Sequence, residues 1–124
     1  MEQVLVDTSI LIDILRGRRD SILKGKDDNT DFAISVVTYM ELLQGSRDKD
    51  EATKIEKIRE VCRLIHLDLQ ISEQSLSLIK KYSLSHRLQI PDALIAATAL
   101  MLNIPLLTLN KKDFHYISGL QLYD

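Results

Sequence analysis

The sequence predicts an α/β fold in three layers, with helices on both faces of a short, mainly parallel sheet. Two observations predict it. Short apolar runs, at residues 4–6, 32–34, 64–67 and 104–107, alternate with segments whose apolar residues recur at helical spacing. At 124 residues the chain can bury one core but not two, so residues 1–124 are expected to form a single domain. A hydrophobic share of 45% and a charged share of 27% exclude wholesale disorder.

The elements follow in order. Val4-Leu5-Val6 is a strand ended by Asp7, and residues 9–16 form a helix with Ile10, Leu11, Ile14 and Leu15 on one face. Gly17 stops it. Residues 18–26 are expected as a short helix and 24–31 as a polar loop. Phe32-Ala33-Ile34 is the second strand, and Ser35 caps a helix over 36–43 that halts at Gly45. Residues 50–62 read as a charged helix with Ile55, Ile58, Val61 and Cys62 on its inner side; 64–67 is the third strand. Ser72 is placed to cap a long helix running to Arg87. Pro91 has no N–H to leave unpaired in the first turn of the next helix, 92–102. Residues 104–107 form the fourth strand, 111–116 a helical turn and 120–122 a last edge strand.

In open parallel sheets, ligands bind beyond the carboxyl ends of the strands. Four acids fall at the margins of apolar segments where that edge is expected: Asp7, Glu41, Asp92 and Asp113. Each has an ordinary reading. Asp7 can cap the first helix, Glu41 can be a solvated side chain, Asp92 can complement a helix dipole, and Asp113 can cap a turn. Asp92 is the most telling, because its neighbours three, four and seven residues on are Ile95, Ala96 and Ala99, the buried stripe. Glu41 lies beside Val37, at the border of its helix's apolar face. Converging carboxylates repel one another unless a cation balances them. Oxygen-only donor sets suit hard divalent ions such as Mg²⁺ or Mn²⁺. A metal-dependent hydrolase acting on phosphate esters is therefore the first expectation.

Other chemistries lack their parts. His66, His86 and His115 have no HExxH spacing and no cysteine partners, which speaks against a zinc site, and Cys62 is the sole cysteine, so no internal disulfide can form. There is no GxxxxGK[ST], GxGxxG or GxSxG. The apolar stretches near 10–15 and 93–102 are too short or too interrupted to span a bilayer, and no basic segment precedes an apolar one at the N-terminus. No membrane contact and a cytoplasmic location are expected. The net charge is −2, from sixteen Lys and Arg against eighteen Asp and Glu; with four acids balanced by metal, the remainder becomes positive by two. Arg16, Arg19, Lys111 and Lys112 are the candidates for holding a phosphate backbone, in a chain whose Arg18, Lys24 and Lys26 add to the basic stretch. Arg87 adds to the basic supply; His86 and Arg87, at the end of the long helix, could touch a phosphate but read first as a surface pair. Ser9 is a hydroxyl that could assist Asp7, and Thr108, after the fourth strand, could orient a metal-bound water or simply close the strand. Aromatic residues are only 5%, which offers little sign of base stacking.

Val6-Asp7-Thr8-Ser9-Ile10-Leu11-Ile12, Glu41-Leu42-Leu43-Gln44-Gly45, Pro91-Asp92-Ala93-Leu94-Ile95-Ala96-Ala97 and Leu107-Thr108-Leu109-Asn110-Lys111-Lys112-Asp113-Phe114 resemble, in order and across almost the whole chain, the four motifs of PIN-domain ribonucleases. Size and motif order are most similar to VapC-type toxins of toxin–antitoxin modules. The resemblance implies a compact α/β/α PIN-like fold, a homodimer, Mg²⁺- or Mn²⁺-dependent endonucleolytic cleavage of an RNA substrate, and a cognate antitoxin that blocks the site. By motif it makes Asp7, Glu41, Asp92 and Asp113 the catalytic, metal-binding acids. Many relatives carry an acid where this chain has Asn110, so the fourth ligand is Asn110, Asp113 or a contact through water.

Two rival readings fit less well. A phosphoacceptor receiver domain needs paired acids after the first strand and an acceptor Asp ending a middle strand; only Asp68 resembles the acceptor, and Asp7-Thr8 lacks the pair. A catalytically silent PIN-like binding module is opposed by the intact Asp7, Glu41 and Asp92.

Overall fold

The computed structural model describes residues 2–19 and 29–123. Strands β1 (Glu2–Val6), β2 (Thr30–Ser35), β3 (Arg63–Ile65) and β4 (Leu106–Leu107) form one sheet in the order β3-β2-β1-β4. Every pairing is parallel: Val4 lies opposite Phe32, Ile34 opposite Leu64, and Val6 opposite Leu107. The helices are α1 (Thr8–Leu15), α2 (Val36–Gln44), α3 (Lys49–Val61), α4 (Leu69–His86) and α5 (Ile90–Leu102), with a 3₁₀ turn at Lys111–Asp113.

The two-residue period of the strands sorts the core into two halves. Val4, Val6, Phe32 and Ile34 face one way, against Ile10 and Leu11 of α1, Leu42 of α2 and Ile55 and Ile58 of α3. Leu5 and Ala33 face the other way, against Ile71, Leu78 and Tyr82 of α4 and the Ala93, Ala96, Ala97 and Ala99 stripe of α5. The result is the three-layer α/β/α, PIN-like arrangement expected. Small side chains along α5 let it pack closely against α4 in this half of the core, where Ala93, Ala96 and Ala97 are fully buried. That brings the first turn of α5, with Asp92, to the carboxyl edge of the strands.

Several boundaries differ from expectation. Asp68, not Ser72, caps α4: its carboxylate accepts the Ile71 N–H at 2.8 Å. The helix therefore starts at Leu69, and the residue closest to a receiver-type acceptor has a capping task. Asp48 caps α3 in the same way through Glu51 N–H, again ahead of the expected start. Ser35 caps α2, accepting from Val37 N–H. The fourth strand is trimmed to two residues, and the last edge strand is reduced to a bridge between Leu106 and Leu122. The helix expected over 18–26 lies largely outside the described residues.

A buried acid ties the first helical layer together. Glu51 accepts from the Arg47 backbone N–H and from two guanidinium nitrogens, and also pairs with Arg16 at 3.3 Å. The Arg47 hydrogen bond holds its carboxyl below the usual carboxylate range. Cys62 is buried, and burial pushes its thiol up to about 12, leaving no thiolate for chemistry near neutrality. Among the described residues, no helix is long and apolar enough to cross a membrane.

Candidate metal centre at the carboxyl edge of the sheet

Asp7 occupies the junction of β1 and α1, directly beside β4, to whose Leu107 carbonyl it donates its backbone N–H at 2.8 Å. It stands at the N-cap position of α1, yet its side chain makes no capping hydrogen bond. The carboxylate is 4% exposed and is held instead by hydroxyls. Asp7 Oδ2 accepts from Ser9 Oγ at 2.8 Å and from Thr108 Oγ1 at 2.7 Å. Each hydroxyl is fixed in turn by the loop after β4: Ser9 Oγ accepts from Leu109 N–H and Thr108 Oγ1 from Asn110 N–H. Both donors converge on one oxygen, which orients the carboxylate and leaves Oδ1 for another partner.

Glu41, in the second half of α2, is half-buried and similarly aimed. Its Oε1 accepts from Thr8 Oγ1 at 2.7 Å, and Thr8 Oγ1 stands 3.0 Å from the buried Thr38 Oγ1. A carboxylate only accepts, so the single Thr8 proton is committed to Glu41 and Thr38 supplies the proton between the two hydroxyls. These two threonines were not singled out from sequence. A hydroxyl immediately after Asp7 and another three residues before Glu41 were the available signals.

Asp92 is half-buried in the first turn of α5. Its carboxyl is raised from 3.8 to about 6, first by burial and then by the charges of Asp7, Asp113 and Glu41. The four acids therefore share one field. Asp113 ends the 3₁₀ turn and is exposed, as is Asn110 at the start of the same loop. The field also reaches Tyr116, whose phenol is raised by burial first and by Asp92 and Asp113 next.

Ion pairs join Arg16 and Arg47 to Glu51, Arg18 to Asp13, Lys54 to Asp50 and Arg63 to Asp31, so five of the chain's cations are spent on acids other than these four. Among the described residues, no three His, Cys, Asp or Glu side chains stand in a ready-made metal cage. The donor set nonetheless fits a hard cation: oxygen donors only, two carboxylates oriented from behind by hydroxyls, and a negative field strong enough to raise Asp92. An ion that retains several waters needs only one or two carboxylates close by, which suits Mg²⁺ better than a closed cage does.

Arg16, expected as a phosphate contact, is instead committed to Glu51, with its Nε buried and without a hydrogen-bond partner. Arg19, Lys111 and Lys112 are exposed.

Replacing Thr108 by Val keeps its shape and removes one of the two hydroxyls holding Asp7 Oδ2. The expected result is a loss of Mn²⁺ affinity of about 10- to 100-fold, read by calorimetric titration. Unchanged affinity would exclude a positioning role for Thr108.

Residues 4–120 match the PIN domain. Over 98% of its length the chain is 33% identical to Ribonuclease VapC1 of Methanocaldococcus jannaschii, covering 88% of that protein. It is similar in structure to a chain of a toxin–antitoxin complex from Klebsiella pneumoniae, with TM-score 0.77, 32% identity and 94% of each chain covered. It is also similar to VapBC-1 from nontypeable Haemophilus influenzae, with TM-score 0.82, 27% identity and coverage of 98% and 97%.

Proposed function

Because this chain belongs to the PIN-domain family, among its VapC-type ribonucleases, we propose that it is a Mg²⁺- or Mn²⁺-dependent endoribonuclease, the toxin component of a toxin–antitoxin pair. The observation that carries the reading is the pair of carboxylates aimed by hydroxyls, Asp7 held by Ser9 and Thr108 and Glu41 by Thr8, with Asp92 and Asp113 in the same field.

Asp7, Glu41 and Asp92, with Asp113 or Asn110 completing the set, would hold the ion between them, one or two carboxylates directly and the others through waters it keeps. When bound, the ion supplies Lewis-acid stabilisation of the phosphate and lowers the pKa of an attacking water. The chain's own part is orientation. Ser9 and Thr108 fix the Asp7 carboxylate from one side, and Thr8 fixes Glu41, so neither must be ordered during the reaction. Lys112 and Arg19, on the exposed surface, are the candidates for steering the RNA backbone.

The partner proposed is a cognate antitoxin whose segment covers the acids. Solved structures similar to this chain include one from a toxin–antitoxin complex and one from VapBC-1. A homodimer and a cytoplasmic location belong to the same proposal.

The test is incubation of the antitoxin-free protein with total RNA and Mg²⁺ or Mn²⁺, with EDTA as a control, followed by mapping of new 5′ ends. Discrete ends lost in EDTA support the reading. No cleavage with either ion overturns it in favour of a silent binding module.

A further inference from the structure

Four rings gather where the end of α4 meets the loop after the 3₁₀ turn. His86 lies flat on Tyr116, with centroids 4.0 Å apart and planes inclined by 10°. Tyr82 meets Tyr116 edge-on at 5.0 Å and His86 at 5.7 Å, and His115 meets Tyr116 at 6.1 Å. The cluster is graded from inside to outside: Tyr82 is buried, Tyr116 half-buried and His86 exposed. Its base is fixed, because the Tyr82 hydroxyl accepts the Ser118 backbone N–H at 3.1 Å and so pins the loop that carries Tyr116. An exposed imidazole seated on a rigid ring is a stacking platform with one side turned to solvent.

Arg87, the next residue, is independently unusual. It takes the left-handed conformation, φ 57° and ψ 37°, at the end of α4. Glycine adopts that conformation without penalty, whereas a side chain there is strained. Arg87 is nonetheless exposed, and among the described residues it has no ion pair. A strained position that spends its side chain on an uncommitted guanidinium beside an exposed ring points to a ligand with a flat face and a negative charge.

The place of the cluster narrows the ligand. Asp92 is five residues beyond Arg87, a separation of at most about 18 Å even for extended chain. Tyr116 is three residues beyond Asp113 and lies in the field of both acids. A strand threaded past the acids therefore reaches the platform within a few nucleotides.

We propose that His86, backed by Tyr116, is a stacking subsite for one base of a single-stranded RNA, and that Arg87 takes an adjoining phosphate. Bases splayed from a single strand stack on His and aromatic rings, and every base offers a face for it. The proposal rests on the ribonuclease reading above and adds where the substrate is gripped.

The test measures binding of fluorescent 12-nucleotide RNAs by anisotropy in EDTA, which stops metal-dependent cutting. A single abasic nucleotide is walked along the strand. His86→Ala is expected to weaken binding by about 5- to 100-fold, with recovery in His86→Phe, which keeps the stack. The abasic series should show a position whose loss weakens binding to the native chain and not to His86→Ala. Arg87→Gly should relieve the backbone strain, so its Tm holds or rises while RNA affinity falls, an outcome that misfolding cannot produce. Equal binding by His86→Ala, or the same abasic profile in both proteins, would overturn the subsite and leave the rings as internal packing. The two readings fail separately. If total RNA is cut but binding is indifferent to His86, only the subsite falls; if RNA is not cut yet the abasic pattern appears, only the nuclease falls.

Discussion

Asp92→Asn is expected to abolish RNA cleavage while raising the stability of the metal-free protein. On the proposed reading, losing a carboxylate that would help hold the ion removes several kcal/mol of transition-state stabilisation, a fall of at least about 10²- to 10³-fold in rate. Stability moves the other way because the native carboxylate is a burden when no cation is present. Its folded pKa of about 6 lies above the ordinary 3.8. Between those values the folded chain holds the proton more tightly than the unfolded chain does, so metal-free stability rises as pH falls from 7 through 6 and the gain is complete below about 4. The shift is worth on the order of 2 kcal/mol once the solvent reaching this half-buried group is allowed for. The Asp92→Asn variant would hold that stability at all pH values, with a Tm a few degrees above that of the native chain at pH 7.5 in EDTA.

Added Mn²⁺ should reverse the ranking, stabilising the native chain and not the variant, and more at pH 7.5 than at pH 5.5 because the ion and the proton compete for Asp92. Thermal melts of both proteins at the two pH values, with and without Mn²⁺, check every part of this. A native chain whose metal-free Tm is flat across that range would sink the shared-field account of the site.

The reach of the sequence followed the range of the interactions. The alternation of strands and helices was legible because a period of two or of 3.6 residues is local, and Val4, Val6, Phe32 and Ile34 declare their face within a few positions. Cap positions were less so: Ser72 and Asp68 are both good caps, and Asp68 wins because its carboxylate reaches Ile71 N–H, a contact that single-residue preferences do not rank. The strand expected at 120–122 has the right residues, but pairs only through Leu122 to Leu106.

The four acids were legible as residue types out of place. Ser9 was legible as a helper of Asp7, two residues away; the pairings of Thr108 and Thr8 were not, because Thr108 lies 101 residues from Asp7 and Thr8 lies 33 from Glu41. The low aromatic content gave little guidance to base stacking, and Tyr82 and Tyr116, which are among the chain's six Tyr and Phe, meet two of its three histidines in one cluster. Composition counts rings; it cannot tell that the topology places the end of α4 beside the loop after β4.

That loop sets the second large effect, Phe114→Ala. Phe114 is 1% exposed and belongs to the core half built on α4 and α5. It anchors the acid-bearing end of the segment, ahead of the buried Ile117 and the Ser118 N–H held by Tyr82: Asp113, Lys111, Lys112 and His115 on either side are exposed, and the turn is closed by the Phe114 and His115 N–H groups on the Lys111 carbonyl. Truncation to Ala leaves a cavity and should cost about 3–5 kcal/mol, against a total stability of roughly 5–15 kcal/mol for a domain. A fall in Tm of roughly 10–20 °C follows for a chain of this length, and calorimetry or circular dichroism reads it directly.

The consequence should extend beyond stability. With its buried ring gone, the loop loses the fixed point between Asp113 on the acid side and Tyr116 on the ring side. Well below the lowered Tm, Mn²⁺ affinity and RNA cleavage should therefore fall more than they do for a core change of similar cost elsewhere, such as Ile55→Ala under α3, where Ile55 is fully buried in the other half of the core. Equal losses in the two variants would mean that the loop is held by the backbone alone, and that the phenylalanine contributes to the fold without setting the geometry of the acids.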